Sequence, residues 1–170
     1  MITYSGKINY FKQLAISDPD IAYHQPGELG NNSFFDCVDE ETLLAAIKEN
    51  VHYPFVWLSD MSGRLSSPNG AINQPINYTL KFYSKVVLND IVFDQSTAKD
   101  IAYDTTFTIL QRWLDWIEKA GYDDALGLEG PIQNVELDSF KWLQLPLFSD
   151  GFVGWQLSFT EVHINSSLSV

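Results

Sequence analysis

The sequence predicts a single α+β domain, in which one long helix lies across a mostly antiparallel sheet and a short helical segment stands at the N-terminus. Apolar residues between about 95 and 120 recur every three to four positions, as in a helix. Residues 76–88 and 153–160 alternate apolar with polar side chains, as in half-buried strands. With 170 residues, 45% of them hydrophobic, the chain has the size and composition of one globular domain over 1–170.

Two helices are predicted before the first strand. An apolar stripe at helical spacing indicates a helix over about 4–16. Pro19 follows it, and the residue before a proline disfavours helical backbone angles. Residues 24–33 are rich in glycine, proline and asparagine and predict a loop. Asp39 is placed to cap a short acidic helix that ends near Asn50.

Two strands joined by a long polar hairpin are predicted next. Residues 53–58 indicate the first strand, with Pro54 at its start, where a missing N–H is tolerated. Gly63 and the Pro-Asn-Gly sequence at 68–70 are turn signals. Residues 76–88 form the second strand, and we expect one of its faces to be buried and the other to be wet or covered by a partner.

The long helix is predicted over about 95–120. Asp94 or Ser96 can cap its start. Lys119 and Gly121 mark its end, because cations favour the C-terminal end of the helix dipole and glycine favours the C-cap. The predicted buried stripe consists of Ala98, Ile101, Ala102, Thr105, Ile109, Leu110, Trp113 and Ile117.

The chain is predicted to end in a pair of strands. A glycine-rich loop over 121–134 precedes a strand over about 135–147. The last strand covers 153–160, and the Asp-Gly sequence at 150–151 is a hairpin turn signal between the two. Gly154 is interpreted as a bulge residue.

Composition narrows the possible functions. The chain has 10 Lys and Arg against 22 Asp and Glu, a net charge of −12, and such a surface repels phosphate backbones. Cys37 is the single cysteine, so no intramolecular disulfide can form, and we expect it to be a small packed hydrophobe in a reducing compartment. The sequence predicts neither a signal peptide nor a membrane span.

No motif for catalysis or for cofactor binding stands out. His24, His52 and His163 lie far apart, without the spacing of a metal site. Neither a nucleophile elbow nor a phosphate-binding glycine loop is present in the sequence. We therefore predict no catalytic, cofactor-binding or metal-binding residues, and a protein that is not an enzyme.

Two residue groups, one of carboxylates and one of aromatic side chains, leave a glycosidase or a sugar-binding function open. Two carboxylates about 5–10 Å apart would suit glycoside hydrolysis, although an acidic chain is expected to carry adjacent surface acids. A row of aromatic rings would stack on a sugar, although Trp113 and Trp155 occupy periodic buried positions, which leaves Trp116 and Trp142 to face a partner. The carboxylates are Asp123, Asp124, Glu129, Glu136 and Asp138, and the aromatic residues are Trp113, Trp116, Tyr122, Trp142 and Trp155.

Five short segments, in order along most of the chain, carry a family resemblance. They are 8–11 in the first helix, 53–57 with its Tyr-Pro step, 78–83 in the alternating strand, 104–110 with its Asp-Thr step, and 150–157 with its Asp-x-x-x-Gly-Trp element. Together they resemble the tail-terminator and tail-completion (neck) proteins of tailed bacteriophages, particularly those of Bacteroidetes phages and prophages. The acidic, asparagine-rich stretch before the long helix in that group is reduced here to Asn-Asp.

The resemblance implies a structural virion protein of the tail or neck, present in the host cytoplasm during assembly. Its members form a ring, commonly a hexamer, which stops growth of the tail tube and joins the tail to the head. The implied partners are further copies of the chain, the tail-tube protein and neck or connector proteins. DNA only passes through the lumen, and neither a membrane nor a cofactor is involved.

On this interpretation, partners dock on the polar hairpin loop, the acidic loop after the long helix and the exposed aromatic rings. A different head-completion or adaptor protein is the first alternative, and a small-ligand (carbohydrate) binding domain is the second. Self-association distinguishes a ring from a binding domain. The predicted interface residues are Arg64, Asn69, Trp116, Asp123, Asp124, Glu129, Trp142 and Asp150.

Overall fold

The computed structural model confirms the α+β class. It describes residues 4–21, 32–36, 39–63, 72–89, 94–123, 132, 134–148 and 151–165. Within them the elements, in chain order, are α1 (Tyr4–Ser17), β1 (Asn32–Asp36), α2 (Glu40–Asn50), β2 (Val51–Gly63), β3 (Ile72–Lys85), α3 (Gln95–Asp123), a 3₁₀ turn (Leu137–Ser139), β4 (Lys141–Phe148) and β5 (Phe152–Asn165).

The five strands form one sheet in the order β1-β2-β3-β5-β4. Strand β1 is parallel to β2, and the other neighbours are antiparallel. Helix α2 provides the crossover that a parallel pair requires. Helices α1 and α3 pack on one face of the sheet, where Phe11 and Trp113 join its main core. Helix α2 packs on the opposite face, where Leu43 joins a smaller core.

Strand β1 is absent from the sequence prediction, which placed a loop over 24–33. Residues 24–31 lie outside the described residues, and the last two positions belong to β1. Phe34 packs in the main core and Phe35 in the smaller one. A strand buried on both faces shows a short apolar run without alternation, so it has no period by which to recognise it.

The expectation that one face of β3 is wet or covered by a partner is wrong at its end. Tyr83 lies on that face and is buried by the smaller core beneath α2. The strand also ends at Lys85, so Val86 and Leu88 lie beyond it. The Val86 N–H instead donates to the Gly151 carbonyl at 2.8 Å.

Aspartates cap two helices, as predicted. The Thr42 N–H donates to Asp39 Oδ1 at 2.8 Å at the start of α2. At the start of α3 the Thr97 N–H donates to Asp94 Oδ2 at 2.9 Å, which decides between the two predicted caps. These backbone hydrogen bonds favour the ionised carboxylates and hold the pKa of Asp39 and of Asp94 below the ordinary value.

Helix α3 is longer than predicted. It continues through Gly121 to Asp123, so neither Gly121 nor Lys119 marks its end. A glycine inside a helix costs only about 1 kcal/mol relative to alanine, and packing of the helix outweighs that cost. Ile101, which was predicted in the buried stripe, is exposed.

The C-terminal strands differ from the prediction in two details. Strand β4 begins at Lys141 rather than near 135, because a 3₁₀ turn occupies the preceding residues. Gly154 pairs with both Tyr83 and Leu145, and the irregularity in this sheet lies next to it, on β4 between Leu145 and Phe148. Gly151 has the positive φ of 83° that the predicted hairpin turn requires.

A buried ion pair joins α1 to β5. Lys7 Nζ lies 2.5 Å from Glu161 Oε2, and both side chains are almost fully buried. The Tyr78 hydroxyl donates to the same oxygen at 2.5 Å. Three elements, α1, β3 and β5, therefore meet at one carboxylate in the core.

A second ionic cluster fixes the end of α1 against α3. The buried Asp18 accepts from Arg112 at 2.5 Å and from the Trp113 indole at 3.0 Å. Asp20 binds the other guanidinium nitrogen of Arg112 at 2.7 Å. The hydrogen bond that Arg112 donates to Asp20 is the largest cause that raises the pKa of Arg112.

Stability is expected to fall as the pH rises above about 10. Burial raises the pKa of Tyr10 and Tyr83 to about 12, and burial together with the Glu161 charge raises the pKa of Tyr78. Above the pKa of an unfolded tyrosine, the unfolded chain releases its phenolic protons, whereas the native state still keeps them. The free energy of unfolding is therefore unaffected below the unfolded pKa and falls as the pH rises from there through the folded pKa. Between its unfolded and its folded pKa, each group contributes a slope of at most about −1.4 kcal/mol per pH unit.

Urea unfolding at pH 8, 10 and 11 measures this slope. Tyr10→Phe is the informative variant, because it removes one titrating hydroxyl while its buried ring remains. We expect a shallower alkaline slope for Tyr10→Phe than for the wild type. Equal slopes would show that Tyr10 titrates alike in the folded and unfolded chains.

Candidate interaction surface

Strand β4 lies at one edge of the sheet and exposes apolar side chains. It pairs only with β5 in the described sheet. Trp142, Leu143 and Leu147 are 52%, 50% and 54% exposed, and of its eight residues only Leu145 is buried. An edge strand offers unpaired backbone N–H and C=O groups, and large apolar side chains beside them favour pairing with another chain.

The register of β4 places its exposed side chains on both faces of the sheet. Trp142 pairs with Leu157 and shares the α3 face, whereas Leu143 pairs with Gln156 and points to the α2 face. Helix α3 packs over β3 and β5, where Trp113 contacts Phe82 at a ring distance of 5.3 Å. It reaches β4 near Leu145, where the Tyr103 hydroxyl donates to the Leu145 carbonyl at 2.8 Å, but Trp142 stays exposed.

An open groove of about 470 Å³ separates α3 from β4. We name it the α3–β4 groove. Its wall on α3 is formed by Phe107, Leu110, Gln111, Leu114, Asp115 and Glu118. Leu137, Asp138, Phe140 and Trp142 form the opposite wall, on the 3₁₀ turn and β4.

The α3–β4 groove has an apolar interior and an acidic rim. Asp115 and Glu118 lie three positions apart on α3 and therefore project to one side, while Asp138 lies on the opposite wall. The described lining contains no lysine, arginine or histidine. None of these three carboxylates forms an ion pair within the part of the chain that the structure describes.

A second exposed apolar patch lies where β3 leads into α3. Tyr53, Val87, Leu88 and Ile101 are all more than one-third exposed. Three of them, all but Leu88, line a shallow groove of about 200 Å³, in which Lys85 is the charged residue of the described lining. The patch is smaller than the α3–β4 groove and has the opposite charge.

The structure brings few of the predicted interface residues together. Trp142 is exposed as predicted, whereas Trp116 is half-buried against the main core. Trp116 follows Leu114 by two positions, about 200° around the helix, so it is on a different side from the groove. The side chains of Arg64, Asn69, Asp123, Asp124, Glu129 and Asp150 lie outside the described residues.

The other chemical candidates find no assembled site. Trp113 is fully buried and Trp155 is half-buried against Phe107, so the predicted aromatic row does not form one exposed platform. Glu136 and Asp138 are exposed, whereas the other three acids of their group have undescribed side chains. Among the described residues, no cluster of three or more His, Cys, Asp or Glu side chains is arranged to hold a metal ion.

Three further predictions depend on residues without described side chains. Cys37 and His24 lie outside the described residues, and so does the His163 side chain, whereas His52 is exposed at the start of β2. None of the described helices combines the length and the apolar character needed to cross a membrane.

Sequence reasoning identified Trp142 but missed the rest of the groove. Leu137 and Phe140 were assigned to a strand, so their approach to α3 was not expected. Phe107 and Leu114 are apolar residues of the long helix outside its predicted buried stripe, and that position was the available signal. The groove depends on how α3 packs on the sheet, and tertiary packing of this kind has no local sequence signal.

Comparisons with protein-family models, with curated proteins and with solved structures return no match.

Proposed function

We propose that this chain is a structural, non-enzymatic virion protein that assembles edge to edge into a ring at the end of a phage tail tube or at the neck. The observation that supports the proposal most is the apolar, unpaired edge of β4 (Lys141–Phe148). A soluble chain that exposes Trp142, Leu143 and Leu147 along one edge strand gains stability by covering them.

The two ends of the described sheet are compatible with a ring. The described sheet has β1 at one end and β4 at the other, and the two differ in length, direction of pairing and side chains. Pairing β4 of one copy with β1 of the next is a heterologous contact, which repeats from copy to copy. Such a contact closes into a ring when the rotation between copies returns to its start.

The charge of the chain suits a conduit for DNA. A net charge of −12 repels a phosphate backbone, so a lumen lined by acidic residues lets a duplex slide without being held. The family resemblance supplies the particular role, which is to end the tail tube and join it to the head.

Light scattering over a concentration series, with negative-stain images of the same sample, tests the proposal. We expect hexameric rings with a central hole wide enough for a DNA duplex. A monomer at every concentration, also in the presence of assembled tail tubes, would contradict it.

Leu143→Lys is expected to abolish assembly without unfolding the monomer. Leu143 is half-exposed on the α2 face of β4, and a lysine on an edge strand opposes pairing with another chain. We expect the dissociation constant of the ring to rise at least tenfold, which corresponds to about 1.4 kcal/mol. Light scattering of the variant, with circular dichroism as the folding check, measures this.

Leu88→Lys is the matched control, because Leu88 is equally exposed but lies outside the sheet edge. It should assemble like the wild type. If Leu143→Lys also assembles like the wild type, the copies do not meet through β4.

A further inference from the structure

We propose that the α3–β4 groove binds a basic, extended segment of a partner protein, in which a large apolar side chain is flanked by lysine or arginine. The groove shares Trp142 with the β4 edge, but the rest of its lining lies on α3 and on the segment before β4, and Leu143 faces the other side of the sheet. The proposal therefore does not depend on ring formation.

The interior of the groove suits a large apolar side chain. Its volume of about 470 Å³ falls within the range of about 300–1,000 Å³ of ligand pockets. Phe107, Leu114 and Phe140 provide apolar lining on the two walls, and the ring of Trp142 is exposed beside them. Indole rings offer both apolar contact area and a face for a cationic group.

The length of the groove suits an extended segment. Its lining on α3 runs from Phe107 to Glu118, which at 1.5 Å per residue is about 16 Å along the helix axis. An extended chain advances about 3.3 Å per residue, so about five residues fit along this wall.

The rim selects basic residues on both sides of the apolar anchor. Asp115 and Glu118 form one rim and Asp138 the other, with no cation in the described lining. Lys141 precedes Trp142 in β4 and alternates to the opposite face of the sheet. Acidic segments and nucleic acids are repelled here, and a second copy of a chain with net charge −12 is a poor electrostatic match.

Fluorescence anisotropy of a rhodamine-labelled pentapeptide, Lys-Ala-Phe-Ala-Lys, tests the proposal on the full chain. We expect saturable binding, weakened by added salt, because exposed charge pairs are screened. The peptides Glu-Ala-Phe-Ala-Glu and Lys-Ala-Ser-Ala-Lys should compete at least about tenfold less well, since each lacks one of the two recognised features.

The variant Asp115→Asn/Glu118→Gln/Asp138→Asn removes the rim charges and should weaken binding by at least about tenfold. Asp100→Asn/Asp104→Asn is the matched control, because both aspartates are exposed on α3 outside the groove lining. It should bind like the wild type.

Three results would overturn the proposal: no binding of the basic peptide, equal competition by the acidic peptide, or equal loss in both charge variants. Saturable binding of labelled maltotriose, without binding of the basic peptide, would also overturn it and indicate a carbohydrate site. Leu143→Lys should retain peptide binding, so a failure of ring assembly and a failure of the groove are measured separately.

Discussion

Replacing Lys7 with methionine is expected to lower the free energy of unfolding by about 3–5 kcal/mol. The change removes the ammonium group that lies 2.5 Å from Glu161 and leaves a fully buried carboxylate without that cation. The hydroxyl of Tyr78 still donates to the carboxylate, but a neutral donor does not replace a cation. Urea unfolding followed by circular dichroism measures the loss.

Lys12→Met is the matched control for this change. Lys12 also belongs to α1 and pairs with Asp36 at 3.1 Å, but the two side chains are 35% and 38% exposed. An exposed pair contributes about 0–1 kcal/mol, so this variant should be close to the wild type. Similar losses in the two variants would show that burial does not set the energy of the Lys7–Glu161 pair.

The double variant Lys7→Met/Glu161→Gln should be more stable than Lys7→Met alone. Glutamine keeps an acceptor for the Tyr78 hydroxyl while removing the buried charge, which is the main cost of the single change. No recovery in the double variant would mean that Lys7→Met acts through lost packing of its alkyl chain instead.

Gly154→Ala is the second large effect and should cost about 3 kcal/mol or more. A Cβ at this position would lie 1.7 Å from the backbone oxygen of Phe82, which is far inside contact distance. Gly154 pairs with both Tyr83 and Leu145, so β5 cannot move away from one neighbour without disturbing the other. Thermal and urea unfolding of the variant measure this cost.

Gly63→Ala provides the control for strand glycines. A Cβ there would meet its nearest atom, the Pro75 carbonyl oxygen, at 3.6 Å, which is ordinary contact. We expect a change within about 0.5 kcal/mol. If the two alanine variants lose similar stability, the close approach of β3 to Gly154 is not the cause.

The helices and the antiparallel strands could be predicted because each carries its own signal. Asp39 and Asp94 are the N-cap residues of α2 and α3, and aspartate is a favoured residue at that position. Strand β5 alternates in burial from Gln156 to Thr160, as its sequence does there. Strand β1 has no such local signal, because contacts with β2 and with helices on both faces define it.

The sequence carries a signal for each partner of the buried ion pair, but none for their pairing. Lys7 precedes Phe11 by one helical turn, and Glu161 follows Phe159 on the same side of its strand, so each pattern places a charge in the core. Their pairing could not be predicted, because the two residues stand 154 positions apart. The α3–β4 groove is similar, since only the packing of α3 reveals that Trp142 of β4 is left exposed.

The position of Lys7 and Glu161 in the chain has a consequence for folding during synthesis. Helix α1 leaves the ribosome before all the other described elements and needs a carboxylate of β5, the one that follows them all. Strand β4 is also made before β5, the only strand it pairs with in the described sheet. The core therefore closes only when β5 has emerged, and a nascent chain stalled before that point exposes its apolar sheet face.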